Sequence, residues 1–186
     1  MPHSSAEAPF PRLLPWLLLS GGAIGLLASF VLSVEKIALL KNPGYVPSCS
    51  LNPVLSCGSI MRTWQAELFG FPNPLLGVAA FAVVTTVGAA LLAGASLPRW
   101  FWYGLQTGVS LGFVLVHWLI YQSLYEIGAL CPYCMVVWAV TAVLFWYVTL
   151  HNLRRSGYHT VPIVLWFLAV VTLILVRFWS YWSTLL

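Results

Sequence analysis

"ALCPYCMVVWAVTAVLFWYVTL", residues 129–150, is the stretch that decides the fold. It opens on Cys131-Pro132-Tyr133-Cys134 and continues as an unbroken apolar run without one charged residue. A Cys-x-x-Cys in a soluble redox domain needs alternating strands and helices around it. Here the motif opens a run of membrane-helix length instead. Pro132 suits the first helical turn, where its missing N–H has no helical partner to lose.

The rest of the chain agrees. Of its 186 residues, 61% are apolar and 6% are charged, and the mean hydropathy is +0.92. A soluble domain carries about 25% charged residues, so this composition describes an integral membrane protein. Five stretches are long enough to span: Leu13–Val34, Leu75–Leu97, Trp100–Leu124, Cys131–Leu150 and Val161–Trp182. Each has about 20 residues, the length a helix needs to cross about 30 Å of hydrocarbon. The runs are continuous rather than alternating, which excludes barrel strands. The expected fold is therefore all-α and polytopic, a membrane domain over residues 13–186.

The first run is too long for the apolar part of a signal peptide and reads as an uncleaved anchor. Residues 1–12, with three prolines and two serines, read as a disordered tail. Between the first two runs lies a long loop, residues 35–74, and loops of that length tend to be functional. Arg12, Arg99, Arg154 and Arg155 thread to one side of the membrane. Glu35, Lys36, Lys41, Arg62, Glu67 and Glu126 thread to the other. The Arg154-Arg155 pair in a short loop favours the cytoplasm for its side, which puts the long loop outside. Arg177 is expected to snorkel from the outer end of the fifth run.

The same threading places every cysteine on one face: Cys49 and Cys57 in the long loop, Cys131 and Cys134 at the head of the fourth run. Four cysteines allow three pairings, and chain separation favours Cys49 with Cys57 and Cys131 with Cys134. A helix N-terminus stabilises a thiolate, the species that attacks a disulfide. Redox exchange leads over two plainer readings, inert structural disulfides and a Cys₄ metal site. The first pair has seven residues between its members, wider than the usual metal spacing. Asn52-Pro53 looks like the cap and first turn of a short helix. Beyond it, Ile60, Met61, Trp64, Leu68 and Phe69 recur at near-helical spacing, an amphipathic segment for the bundle mouth. The first pair is thus expected on a movable, wet segment, and the second at the bundle's lip. A lipid-soluble two-electron acceptor, of which a quinone is the obvious one, would complete such a relay.

"SCSLNPVLSCGSIMRTWQAELFGFPNPLLG", residues 48–77, followed by Cys-x-x-Cys at the fourth run, resembles the vitamin K epoxide reductase family, its bacterial members above all. DsbB-type quinone reductases place the two kinds of pair in the opposite order. The resemblance implies four helices around a quinone pocket with a fifth beside them. It implies that Cys134 is the active-site sulfur beside the quinone, of menaquinone, ubiquinone or vitamin K type, with Cys131 its partner. Cys57 would exchange with Cys131, and Cys49 would form the mixed disulfide with a thioredoxin-like (DsbA-like) protein. Asn73 matches the asparagine that bonds a quinone oxygen, and Thr63 stands where many members have a serine. The implied function is disulfide formation in exported proteins at a bacterial cell membrane, with lipids around it and no nucleic acid. Some members carry a fused thioredoxin-like domain after the fifth helix. This chain stops at Leu186, so the implied partner is a separate protein.

Trp138 departs from the pattern. Vertebrate enzymes have a tyrosine four residues after the last cysteine, and an indole N–H donates but does not titrate as a phenol does. This weighs against the rival reading, vitamin K or quinone epoxide reduction by the same cysteines. A second rival is a non-catalytic metal-binding or disulfide-braced membrane protein. Plainer roles compete at single residues too. Asn73 is placed to cap a helix, Thr63 to be a loop hydroxyl, Trp138 to face lipid, and Glu126 to be a rim charge. His117, at membrane depth, is read as a neutral histidine bonded between helices in preference to a proton carrier. Gly104, Gly108 and Gly112, like Gly21 and Gly25, are spaced for close helix packing.

Overall fold

The computed structural model describes residues 12–155 and 159–183. The expected tail lies outside the described residues except for Arg12. Four helices are long and apolar enough to cross a membrane: α1 (Leu13–Lys41), α3 (Asn73–Leu92), α4 (Arg99–Tyr121, continued by a π-helical turn Gln122–Ile127) and α5 (Pro132–Leu153). Between α1 and α3 lie the short α2 (Cys57–Met61) and a 3₁₀ turn, Trp64–Glu67. The fifth expected span is a shorter apolar helix, α6 (Val161–Arg177), followed by α7 (Trp179–Trp182). This is an all-helical, multi-pass membrane protein.

Helix α1 runs past the expected exit at Val34, through Glu35 and Lys36 to Lys41. At about 1.5 Å per residue, its 29 residues extend beyond the hydrocarbon on the cysteine side. Partners compensate the buried charges there. The Lys36 ammonium donates to the Met61 carbonyl at 2.5 Å and pairs with Glu67 at 2.9 Å. Glu35 accepts from the Ser48 hydroxyl at 2.5 Å. Both contacts tie the loop down onto the end of α1.

Small residues set the α1–α3 contact. A Cβ at Gly22 would lie 2.8 Å from the Thr85 amide nitrogen, and one at Gly25 would lie 2.5 Å from the Phe81 ring. At Gly88 a Cβ would strike the backbone of Leu18 and Leu19. Such glycines let helix backbones approach closely.

The expectation for α4 needs correcting. A Cβ at Gly104 or Gly108 would meet nothing within 4 Å, and one at Gly112 makes only ordinary contact with Thr141. Trp102, Leu105 and Val109 are the buried residues of this stretch, packed into the core with Leu144, Tyr147 and Val148 of α5. The glycine face therefore borders an apolar cavity of about 400 Å³ between α3 and α4.

Helix α6 is peripheral, with no buried residue of its own. Polar contacts seat it. His117 Nδ1 bonds the Phe113 carbonyl at 2.8 Å, and its Nε2 accepts from the Trp166 indole at 2.9 Å. An indole is only a donor, so His117 is the Nδ1–H tautomer, bonded between helices as expected. Arg177 is exposed at the end of α6. Its Nε donates to the Leu124 carbonyl at 2.8 Å.

Candidate functional site

The four sulfurs gather at one end of the bundle. One parallel β-bridge, Leu55 with Leu130, aligns the two loops that carry them. Ser56 N–H donates to Leu130 O at 2.9 Å, and Leu130 N–H to Val54 O at 2.7 Å. Each rung is next to a cysteine in sequence, so the bridge sets Cys57 beside Cys131. Gly128, in the left-handed region at φ 69°, ends the π-helical turn and lets the chain reach that register.

Cys49 and Cys57 are joined in a disulfide, while Cys131 and Cys134 are free thiols. Cys131 Sγ lies 3.0 Å from Cys57 Sγ. Cys49, Cys57 and Cys131 sulfurs all fall within 4.8 Å of one another. Two of the three are bonded to each other and, so bonded, offer no thiolate to a metal.

Cys131 caps α5, and its sulfur accepts from the Cys134 N–H at 3.4 Å. The Cys134 thiol and the N–H groups of Cys134 and Tyr133 hold Cys131 below the usual thiol range, against the opposing effect of burial.

Two expectations about the loop are corrected. The first pair is not wet: Cys49 is 5% exposed and Cys57 fully buried, under Leu32, Leu39 and Met61. Asn52 does not open a helix. Its Oδ1 accepts from Val54 N and Leu55 N in a local turn, and α2 starts at Cys57 with Ser56 as cap. The side chain competes with helix geometry by satisfying those amides itself. The amphipathic segment is likewise broken into α2 and the 3₁₀ turn. It still roofs the bundle mouth, with Met61 buried and Trp64 exposed against Trp118.

Beneath that roof is a cavity of about 140 Å³. Leu32, Met61, Leu76, Val116 and Val137 give it apolar walls, and Cys134, Asn73, Ser29 and Trp138 its polar groups. Trp138 is 3% exposed and packs on Val116, Ile120 and Leu124, so it does not face lipid. Asn73 is the first residue of α3 and does not cap it. Its Oδ1 accepts from Leu68 N at 3.1 Å and its Nδ2 donates to Gln65 O at 2.7 Å. Thr63 does not line this cavity. Its hydroxyl donates to Ile60 O at 2.8 Å and closes the turn after α2. Glu126 is exposed at the rim.

Lys36, Glu67, Gln65 and Gln122 also build the site, and sequence reasoning passed over them. A lysine inside an apolar helix is a signal for the first. Nothing in "RTWQAE" marks Gln65, whose burial depends on how the roof folds back.

The model of the vitamin K epoxide reductase family matches residues 16–149, a stretch holding all four cysteines and the whole cavity lining. Among curated proteins, none matches the chain.

Proposed function

The chain belongs to the vitamin K epoxide reductase family, and on that premise we propose that it oxidises a separate thioredoxin-like protein and passes the electrons to a membrane quinone. The observation that carries this reading is the 3.0 Å approach of Cys131 to Cys57, across two loops, with Cys134 on the wall of an apolar cavity.

The exchange steps balance in electrons and protons. A partner thiolate attacks Cys49, breaking the Cys49–Cys57 bond and releasing the Cys57 thiolate. The partner's second thiol resolves the mixed disulfide and leaves Cys49 reduced. Cys57 then attacks Cys131 of an oxidised Cys131–Cys134 pair and expels Cys134. Cys49 closes back on Cys57 and frees Cys131. The product has a Cys49–Cys57 disulfide above two free thiols, the arrangement in the structure. Val46 and Leu51, 70% and 68% exposed on either side of Cys49, form a landing patch for the partner.

The cavity fits a quinone ring in size, in apolar lining and in its few polar groups. Asn73 and Trp138 offer N–H donors for its oxygens. A bound quinone supplies the two-electron acceptor that lets the Cys131–Cys134 bond re-form. Arg99 and Arg154 line a cleft together, and by the charge rule that end is cytoplasmic. The cysteines are then extracytoplasmic, in a bacterial membrane protein that supports disulfide formation outside the cell.

The test is quinone reduction by the full-length protein with a panel of reduced thioredoxin-like proteins. Turnover is expected with at least one, and Cys134→Ala abolishes it. Undiminished turnover in that variant removes the reading. Cys57→Ala, with Cys49 retained as a free thiol, is expected to form a mixed disulfide with the oxidised partner, Cys49 displacing one sulfur of the partner's disulfide as a thiolate.

A further inference from the structure

Beside the quinone-sized cavity is a second, smaller chamber of about 40 Å³. It shares Ile60, Ala66, Leu119, Cys134 and Trp138 with the larger one and adds Gln65, Gln122 and Ser123. Its polar groups arrive from opposite sides. Gln65 comes from the 3₁₀ turn of the roof. Gln122 and Ser123 come from the π-helical turn, a feature that often marks functional positions.

Gln65 is 8% exposed, and its two amide atoms fare differently. Nε2 donates to Gln122 Oε1 at 3.1 Å. Oε1 is buried and accepts from no group among the described residues. A buried acceptor without a donor is costly, about 1–3 kcal/mol, and is commonly satisfied by an ordered water. The Ser123 hydroxyl is no such donor, because it gives its hydrogen to the Ala129 carbonyl. The chamber is large enough to hold a water.

We propose that this chamber holds an ordered water that donates one O–H to Gln65 Oε1, and that, as the Cys131–Cys134 bond forms, this water accepts the Cys134 proton and gives its other O–H proton to the quinone oxygen. The inference rests on Cys134 being the sulfur that faces the acceptor. In the overall step Cys131–SH and Cys134–SH lose two electrons and two protons, and the S–S bond forms. The quinone gains both electrons and, on its oxygens, both protons. The water accepts one proton, passes one on and is unchanged. Gln65 is a positioning residue, since it fixes the water without touching the reacting atoms. Apolar walls leave the water few other partners, which makes Gln65 decisive for its orientation.

The experiment uses the reduced full-length protein in lipid nanodiscs, first without quinone. Infrared difference spectra in H₂¹⁶O and H₂¹⁸O are expected to show an ordered-water O–H band. Gln65→Leu and Gln65→Met remove the band, while Gln65→Glu, which keeps an acceptor oxygen there, retains it. A wild-type protein without the band overturns the inference, as does a band that survives in both apolar variants. Quinone is then added in a stopped-flow measurement. Wild type is expected to show a solvent deuterium isotope effect on the chemical step. Gln65→Leu slows that step about 100-fold, the low end of what positioned proton transfer contributes, at unchanged quinone KM, and Gln65→Glu recovers it. An unchanged rate and isotope effect in Gln65→Leu overturns the proton role. If wild type reduces no quinone at all, the proposed function fails, and the infrared result still decides whether the water is there.

Discussion

Cys131 Sγ stands 3.0 Å from Cys57 Sγ while Cys57 is still bonded to Cys49. A thiolate at Cys131 therefore faces a disulfide it can attack without any large movement. The β-bridge between Leu55 and Leu130 holds the two loops in this register, so the exchange is effectively intramolecular.

Removing Cys134 leaves Cys131 without its other partner. In Cys134→Ala, Cys131 attacks Cys57, the Cys57–Cys131 bond forms and Cys49 is freed. Peptide mapping of that variant by mass spectrometry without reductant is expected to find the Cys57–Cys131 pair. Finding Cys49–Cys57 alone would mean the close approach is not reactive.

The pH dependence of this exchange has a definite sign. Cys131 ionises below the ordinary thiol value of 9.0, chiefly because the Cys134 thiol donates to it. Exchange is then active above that lowered value and is lost as the pH falls through it. Cys134→Ala deletes the donor and shifts the acid limb to higher pH. Cys134→Ser keeps a hydroxyl donor and shifts it less. Acid-quenched time courses of Cys57–Cys131 formation across pH measure this, and identical limbs in the two variants would contradict the cause given.

The roof depends on Lys36. Lys36 is 4% exposed, and its ammonium has Glu67 and the Met61 carbonyl as partners. Glu67→Gln leaves that charge buried without a counter-ion. The expected cost is about 1–2 kcal/mol, below the 3–5 of a fully buried pair because Glu67 keeps some water. Lys36→Met removes the charge as well and is expected to cost less. Thermal unfolding in one detergent compares the two directly, and the reverse order would count against a desolvated Lys36.

Two glycine families separate in the same assay. Gly88→Ala forces a methyl onto the Leu18–Leu19 backbone and is expected to cost about 1–3 kcal/mol. Gly108→Ala meets nothing within 4 Å and is expected to be neutral or slightly stabilising. Equal effects would mean that α1 and α3 do not pack as closely as described.

Apolar runs of spanning length located the four long helices and the shorter α6, because the bilayer leaves little choice but intrahelical hydrogen bonding. Threading those runs by itself puts Cys49, Cys57, Cys131 and Cys134 on one face. Local chemistry carried Pro132 to the first turn of α5 and made Cys131 its cap. Sequence could not say that Cys49 and Cys57 are buried, that Asn52 turns the chain instead of starting a helix, or that Gly104 and Gly108 face a cavity. Nor could it join Gln65 to Gln122 or Lys36 to Glu67. The buried cysteines and the two side-chain pairs depend on residues far apart in the chain meeting through the fold of the 42–72 loop over the bundle, and the glycine face depends on how the helices around its cavity sit. Periodicity and spacing report the preferences of neighbours along the chain. Which polar atoms are satisfied, and which buried acceptor is left open beside Cys134, is decided only when the roof closes on the helices.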